Sequence, residues 1–239
     1  MADAVKIVAL VKGFGNTRAI NNLNFSIAEG QVFGLLGPNG SGKSTLMKMM
    51  TGIIKPTSGG IRIFNDDPQK NPIAVRRTIG YVPETPRLYD FLTARECLDF
   101  IADVYGVPFD AKKEMIAHFL DAFDLKGRED EMMSEYSQGM RQKVAIAGAM
   151  MHKPKLLIMD EPLKGLDPRS AKIVKAAGLF HIRRNVRSFD DGNRYCAKKT
   201  VLGALACYCT ALRPKRGQTL SGGIAWQAWL YGTRISNNA

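Results

Sequence analysis

The chain has 239 residues, 45% of them hydrophobic, so it is long and apolar enough to bury a substantial core. Its apolar stretches fall short of the roughly 20 residues that cross a bilayer, and its start, Met-Ala-Asp-Ala, lacks the parts of a signal peptide. We therefore expect a cytoplasmic protein. The formal net charge of +12 would suggest a nucleic acid or an anionic membrane as partner. Residues 169–239, however, hold 13 Lys and Arg and only two acids, so the excess lies in this tail and no nucleic-acid partner is expected.

Strands are predicted at the start of the chain. Apolar residues recur at every second position in two segments, first at Val5, Ile7, Ala9 and Val11 and then at Leu23, Phe25 and Ile27. A turn is predicted at residues 57–60, a short strand at 61–64, and another strand at 79–82 that ends before Pro83.

A glycine-rich run between an apolar strand at 32–36 and a helix expected from Ser44 is the most informative segment. Its residues are Gly37, Pro38, Asn39, Gly40, Ser41, Gly42, Lys43, Ser44 and Thr45. The glycines let successive backbone N–H groups point at phosphate oxygens, and the start of the helix adds positive charge. Lys43 is predicted to reach the β- and γ-phosphates, and Ser44 to bind Mg²⁺. ATP or GTP is therefore the first ligand to consider.

Three helices are predicted in the middle of the chain. Thr93 and Glu96 form a capping box for the first, ahead of the apolar positions Cys97, Ile101 and Tyr105. The second has one apolar face, made of Ile116, Phe119, Leu120 and Phe123. The third opens at residues 137–140 and has apolar positions at Met140, Val144, Ala147 and Met151. Its first backbone N–H groups are a second potential phosphate contact.

A short apolar strand at residues 156–159 ends in two acids, Asp160 and Glu161. Carboxylates at this position lie at the C-terminal edge of a buried parallel sheet, where ligands bind in α/β folds. Structural carboxylates also occur at strand ends, but an adjacent pair in a chain with a phosphate loop indicates a functional role.

These segments, in this order and spacing, resemble the ATP-binding subunits of ABC transporters, most closely those of exporters with a separate membrane subunit. Phe14 matches the aromatic residue that stacks on adenine. Glu84 occupies the Q-loop, where most members have Gln. Residues 136–142 match the signature motif in a variant form, Asp160 and Glu161 the Walker B pair, and residues 166–168 the D-loop. The resemblance runs from about residue 4 to about residue 177.

The resemblance implies an α/β fold: a P-loop NTPase core with a parallel sheet, an N-terminal antiparallel β subdomain and a helical signature subdomain at about 86–150. Residues 1–177 would form this ATP-binding domain. Its implied cofactors are ATP and Mg²⁺, and its implied partners are a membrane permease and a second ATP-binding subunit, at the inner face of the cell membrane. The segment after Glu84 is the implied docking surface for the permease.

The resemblance also assigns roles to individual residues. Glu161 is the candidate catalytic base, and Ser44, Asp160 (directly or through water) and Glu84 are the candidate Mg²⁺ ligands. Ser137 and Gly139 would bind ATP held by the other subunit. The remaining ATP-binding residues would be Phe14, Gly37, Pro38, Asn39, Gly40, Ser41, Gly42, Lys43, Ser44 and Thr45.

The resemblance ends in the tail. The family continues with a strand and a histidine that contacts the γ-phosphate, but His181 lies about 20 residues after Glu161, where the family places it about 30 on, and not in that pattern. Residues 220–223 look like a second signature motif, but no Walker B strand follows, and we interpret them as chance. The codons of residues 184–191, read one base later, can encode a strand of the expected kind. Residues 178–239 are thus interpreted as a divergent basic tail, either frameshifted or poorly ordered.

Other classes of protein use the same ATP-binding module. DNA-repair and chromosome-structure ATPases separate the phosphate loop from the signature by a long coiled coil, and no heptad run lies between Thr45 and Ser137. Translation factors carry two modules in one chain, whereas this chain has one. A truncated or frameshifted product that binds nucleotide but hydrolyses it poorly stays open as an alternative.

Overall fold

The computed structural model describes residues 2–31, 33–164, 166, 168, 170 and 171, together with the backbone of three short strands further on. The chain divides into two compact units, the first comprising Met1–Val75 and Leu205–Ala239 and the second Arg76–Ala204. Most of the predicted tail at 178–239, including His181 and residues 220–223, lies outside the described residues, as does Asp167.

The elements follow one another in an order typical of an α/β fold. In chain order they are β1 (Asp3–Phe14), β2 (Thr17–Ala28), β3 (Phe33–Leu36), α1 (Lys43–Met50), β4 (Ser58–Ile63), α2 (Pro72–Thr78), β5 (Ile79–Val82), α3 (Ala94–Val104), α4 (Phe109–Ala122), α5 (Gln138–Met150), β6 (Leu156–Met159), β7 (Leu205–Ala206), β8 (Gln227–Leu230) and β9 (Thr233–Arg234). A short 3-10 helix, Met133–Glu135, precedes α5.

The first unit contains an antiparallel sheet in the order β2-β1-β4. Strand β1 does not keep the simple alternation that its sequence predicts, because its pairing with β2 shifts register between Ile7 and Leu10. Ala9 adopts a φ of 45° at this bulge, so Leu10 is fully buried and Ala9 is exposed. Gly59 lies opposite the bulge with a φ of 81°, and a Cβ there would come within 2.2 Å of the Ala9 carbonyl oxygen. Residues 58–60, predicted as a turn, therefore begin β4 instead.

Strand β3 leads into the phosphate loop and has partners on both edges. It pairs parallel with β7, where Gly34 lies opposite Ala206, and antiparallel with β8, where Phe33 lies opposite Leu230. Phe33 is buried and stacks on Phe25 of β2 with ring centroids 5.1 Å apart. Helix α1 then begins at Lys43, one residue before the predicted start.

The second unit pairs β5 with β6 in parallel, so that Val82 lies opposite Met159 where both strands end. Helices α3, α4 and α5 enclose its hydrophobic core, which confirms the predicted buried positions Cys97, Phe119 and Val144. Helix α5 approaches α3 closely at Gly148, where an added Cβ would lie 2.7 Å from Ile101 Cδ1 and this side chain would have to move. Among the described residues, the structure contains no helix of sufficient length and hydropathy to span a membrane.

The capping box predicted for α3 is present. Thr93 Oγ1 accepts a hydrogen bond from Glu96 N at 3.2 Å, and Thr93 N donates to Glu96 Oε2 at 2.9 Å. Helix α4 is tied to α3 by Lys112, whose Nζ lies 2.8 Å from Asp99 Oδ1 and 2.7 Å from Asp103 Oδ1. The helical part predicted at about 86–150 thus has a defined start and a fixed helix pair.

Candidate functional site

The lysine of the phosphate loop lies over the loop itself. Lys43 is only 6% exposed, and its Nζ donates hydrogen bonds to the carbonyl oxygens of Gly37 at 2.8 Å and Pro38 at 2.9 Å. A Ser41 N–H to Pro38 O hydrogen bond of 3.2 Å closes a turn within the same loop. The ammonium is therefore held at the loop and does not extend into solvent. An ion pair with a phosphate in the loop needs the ammonium at this position.

The phosphate loop contains a buried hydroxyl, that of Ser41. Ser41 is 2% exposed, and among the described residues its Oγ makes no hydrogen bond. An unsatisfied buried polar group costs about 1–3 kcal/mol, so such a group indicates that a ligand oxygen belongs beside it. A Cβ on Gly37 would come within 2.8 Å of this Oγ and crowd it. The loop therefore fits a small polyanion.

Gly42 joins the loop to α1, and its backbone conformation fixes the shape of the loop. It is the N-cap of the helix, has a φ of 89° and offers no side-chain hydrogen bond to the first turn. A Cβ at this position would lie 2.5 Å from the Ala19 carbonyl oxygen of β2. The first turn of α1 contains no acidic residue, so the positive end of the helix and its backbone donors face the loop without a competing carboxylate.

The predicted adenine-stacking residue is exposed at the end of β1. The ring of Phe14 is 49% exposed, and Lys12 Nζ lies 4.8 Å from its centroid. Lys12 Nζ also donates to the Lys55 carbonyl oxygen at 2.9 Å, which holds the ammonium at the ring. The sequence reasoning missed Lys12, although its position two residues before Phe14 places both side chains on one face of the strand. A flat ring with one free face can stack on a base.

The predicted carboxylate pair follows β6. Asp160 is 3% exposed, and its N–H donates to the Val82 carbonyl oxygen at 2.9 Å, which extends the β5–β6 pairing by one residue. Glu161 has a φ of 46°, an uncommon conformation for a non-glycine residue that is often found at functional sites. Burial, followed by the charge of Asp160, raises the pKa of Tyr81 to about 12, so this phenol keeps its proton beside the carboxylate.

Glu84, the residue at the Q-loop position, is paired with a lysine that the sequence reasoning missed. Lys164 Nζ donates to Glu84 Oε1 and lies 3.9 Å from Glu161 Oε2. The hydrogen bond to Glu84, with smaller effects from Glu161 and Asp160, raises the pKa of Lys164. Lys164 follows Glu161 by three residues, and this spacing was a signal in the sequence for a contact between them. The contact of Lys164 with Glu84 depends on the β5–β6 pairing.

The carboxylates of the described chain do not form a complete metal site. Among these residues no three His, Cys, Asp or Glu side chains come together in a way that could hold an ion. Mg²⁺ normally takes only one or two carboxylates from a protein and completes its shell with phosphates and water. Ser44 in the first unit, and Asp160 and Glu84 in the second, each carry an oxygen donor of the kind that Mg²⁺ takes.

The signature segment begins α5, and both of its predicted contact residues lie at the helix start. Ser137 is the N-cap, its hydroxyl accepts from Met140 N at 3.3 Å, and its side chain is exposed. Tyr136, immediately before it, is buried and donates its hydroxyl proton to the Arg128 carbonyl oxygen at 2.7 Å. Gly139 lies in the first helical turn. The first unit thus carries Phe14 and the phosphate loop, and the second carries the other candidate residues.

The architecture and these motifs define a P-loop ATP-binding domain. Residues 20–164 match the family model for ABC transporters, and the chain belongs to this family. The bacitracin transport ATP-binding protein of Bacillus licheniformis is 40% identical over 188 residues, which are 79% of this chain and 58% of that protein. The chain therefore spans little more than half the length of this relative.

Solved structures agree with the family. The structure of an ATP-binding subunit of an ABC transporter has a TM-score of 0.73 at 29% identity, over 85% of this chain and 78% of that one. A dimeric ATP-binding cassette in a post-hydrolysis state, bound to ADP and Pi, has a TM-score of 0.68 at 25% identity, over 76% of this chain and 84% of that one. The predicted α/β class, with its antiparallel N-terminal sheet and its parallel strands, is confirmed.

Proposed function

We propose that this chain binds and hydrolyses ATP as the ATP-binding subunit of an ABC transporter that drives a separate membrane permease. The observation that carries the proposal is the phosphate loop, where the buried Ser41 hydroxyl has no hydrogen-bond partner among the described residues and Lys43 is held over the loop. The names of the relatives support it, since one is the ATP-binding protein of a transport system and another holds ADP and Pi.

Each group has a physical task in this proposal. Phe14 stacks on adenine, and Lys43 with the loop N–H groups neutralises phosphate charge. Ser44, Asp160 and Glu84 would hold Mg²⁺, which would supply neutralisation of phosphate charge. Glu161 orients the attacking water and accepts its proton, because a carboxylate is a base of suitable strength for water next to an electrophilic phosphorus.

A second ATP-binding subunit belongs to the proposal. Ser137 and Gly139 lie at the exposed start of α5, whose backbone N–H groups can donate to a phosphate held by another copy or a related chain. The dimeric post-hydrolysis structure among the relatives supports this arrangement. A lone subunit would then hydrolyse ATP slowly.

The permease would dock on the segment after Glu84, at the inner face of the cell membrane. Three large side chains there and on α3 are exposed, namely Tyr89 (54%), Phe91 (72%) and Phe100 (48%). Their rings form one cluster, with the Tyr89 centroid 5.6 Å from that of Phe91 and 6.1 Å from that of Phe100. A contiguous exposed aromatic group is typical of a protein interface. The resemblance to exporters makes export the proposed direction.

A second candidate function is nucleotide binding with little turnover. The described part of the chain contains two histidines, and both have other contacts. His152 stacks on Tyr105 with ring centroids 3.8 Å apart and meets the Ile79 carbonyl oxygen at 2.9 Å, and His118 packs on Phe119. Neither follows a strand in the way that the family's γ-phosphate histidine does.

Equilibrium ATP binding and phosphate release on the purified chain test the proposal. We expect Lys43→Ala to lose ATP binding, whereas Lys48→Ala, an exposed lysine of the same helix, retains it. Binding with hydrolysis supports the leading function. Binding without hydrolysis, even at high protein concentration, supports the second candidate. No binding, or equal binding by the Lys43→Ala variant, would refute both.

A further inference from the structure

A single ammonium group lies between two carboxylates in the second unit. Strands β5 and β6 end side by side, and the chain that leaves β5 carries Glu84 while the chain that leaves β6 carries Glu161 and Lys164. Lys164 Nζ bonds to Glu84 Oε1 and lies 3.9 Å from Glu161 Oε2. The side chains of Lys164, Glu84 and Glu161 are 54%, 39% and 21% exposed, so the pair is open to a ligand that approaches this edge.

The negative charge at the ends of β5 and β6 needs a compensating positive charge. Glu84, Asp160 and Glu161 are three acids within two short segments. Under the proposed function, the triphosphate of bound ATP adds several further negative charges. Like charges that lie close together disfavour one another by amounts that solvent screening reduces but does not remove. At the Q-loop position a neutral glutamine would add nothing to this repulsion, whereas the glutamate of this chain does.

We infer that Lys164 is a positioning residue that holds the Glu84 carboxylate in an ion pair, so that Glu84 can occupy the Q-loop position without repelling ATP. The inference rests on the proposed function. In it Lys164 acts through Glu84 and makes no essential contact with the nucleotide. Glu84 and Lys164 therefore act as a pair, and the lysine is needed only while residue 84 carries a negative charge.

This role makes a specific prediction for a double-mutant cycle. Lys164→Met leaves the Glu84 charge uncompensated, so it should weaken binding of a non-hydrolysable ATP analogue about three- to tenfold in EDTA. The loss should be smaller in saturating Mg²⁺, because the ion offsets the same charge. Glu84→Gln removes the charge that Lys164 is proposed to hold, and it is the background in which the effect of Lys164→Met is measured again. Lys164→Met added to Glu84→Gln should then have no further effect.

Two further variants serve as controls. Lys164→Arg keeps a cation that can pair with a carboxylate, and it should bind the analogue like the unaltered chain. Lys126→Met removes an exposed lysine elsewhere in the same unit, and it measures the effect of net charge alone. A loss specific to Lys164→Met, and absent when residue 84 is glutamine, supports the inference.

Other outcomes overturn it in distinguishable ways. If Lys164→Met weakens binding equally with glutamate or glutamine at position 84, Lys164 acts on the nucleotide directly and the inference is wrong. If Lys164→Met has no effect in EDTA, the ion pair has no functional role. If the unaltered chain fails to bind the analogue at all, the proposed function itself fails, and the inference fails with it.

Discussion

Arg141 of α5 donates to Asp90 Oδ1 at 2.6 Å, which joins the signature helix to the segment that follows Glu84. The same guanidinium donates to the Met133 carbonyl oxygen at 2.9 Å, so one side chain joins both the Asp90 segment and the short 3-10 helix to α5. The proposed docking segment and the proposed trans contact at Ser137 are thereby connected by direct hydrogen bonds within the second unit.

Replacement of Arg141 tests this connection. We expect Arg141→Lys to lower the free energy of unfolding by about 1–2 kcal/mol, because a lysine cannot keep both hydrogen bonds in the fixed geometry of a guanidinium. Amide hydrogen exchange should become faster at residues 88–92. Arg95→Lys is the matched control, since Arg95 makes exposed ion pairs with Glu129 and Asp130. That control should change stability by less than about 0.5 kcal/mol, and equal effects of the two variants would contradict the account.

Two glycines of the phosphate loop should respond differently to alanine. Gly42→Ala forces a Cβ to within 2.5 Å of the Ala19 carbonyl oxygen, at a φ of 89°. Gly40 has a similar φ of 78° but nothing within 4 Å of an added Cβ. Both variants bear the cost of a left-handed alanine, about 1 kcal/mol, and Gly42→Ala bears the clash in addition. The melting temperature should therefore fall further for Gly42→Ala than for Gly40→Ala. Equal melting temperatures would contradict this prediction, because they would mean that the loop moves to relieve the clash at little cost.

Stability at high pH should depend on Tyr136. Burial, followed by the charge of Glu131, raises the pKa of Tyr136 to about 12, whereas a tyrosine in an unfolded chain titrates near about 10. Between these values the folded chain holds a proton that the unfolded chain releases, so the free energy of unfolding falls as the pH rises. Urea unfolding from about pH 9 to 11 should show a shallower fall for Tyr136→Phe than for the unaltered chain. Identical slopes would remove Tyr136 as a cause.

Local signals in the sequence predicted much of this molecule, because they depend on neighbours along the chain. The capping box of Thr93 and Glu96 follows from two residues three positions apart, and the start of α5 lies within the predicted residues 137–140. The bulge at Ala9 was not predictable in this way, because it is set by the pairing of β1 with β2 and β4. Val8 and Leu10 are apolar as well, so the residues around Ala9 do not alternate clearly between apolar and polar. The sequence therefore does not show where the buried face of β1 changes from odd to even positions.

The candidate site shows the same division. The loop glycines and the carboxylates after β6 could be predicted, since each lies in one short segment. The pairing of Lys164 with Glu84 joins residues 80 positions apart and follows only from the parallel register of β5 and β6. The Ser41 hydroxyl, which has no hydrogen-bond partner among the described residues, could not be singled out from the sequence either. Packing buries it, and only a buried serine needs a partner within the protein.

ATP turnover by a Glu161→Gln variant is the most direct test of the central claim. Glutamine keeps the shape of the side chain but is not a base, so the variant should bind ATP with unchanged affinity. Its phosphate release should fall at least about a hundredfold, and with ATP it should accumulate as a dimer in gel filtration. Glu114→Gln, an exposed glutamate of α4, is the control and should behave like the unaltered chain. Undiminished turnover by Glu161→Gln, without an ATP-dependent dimer, would contradict the account.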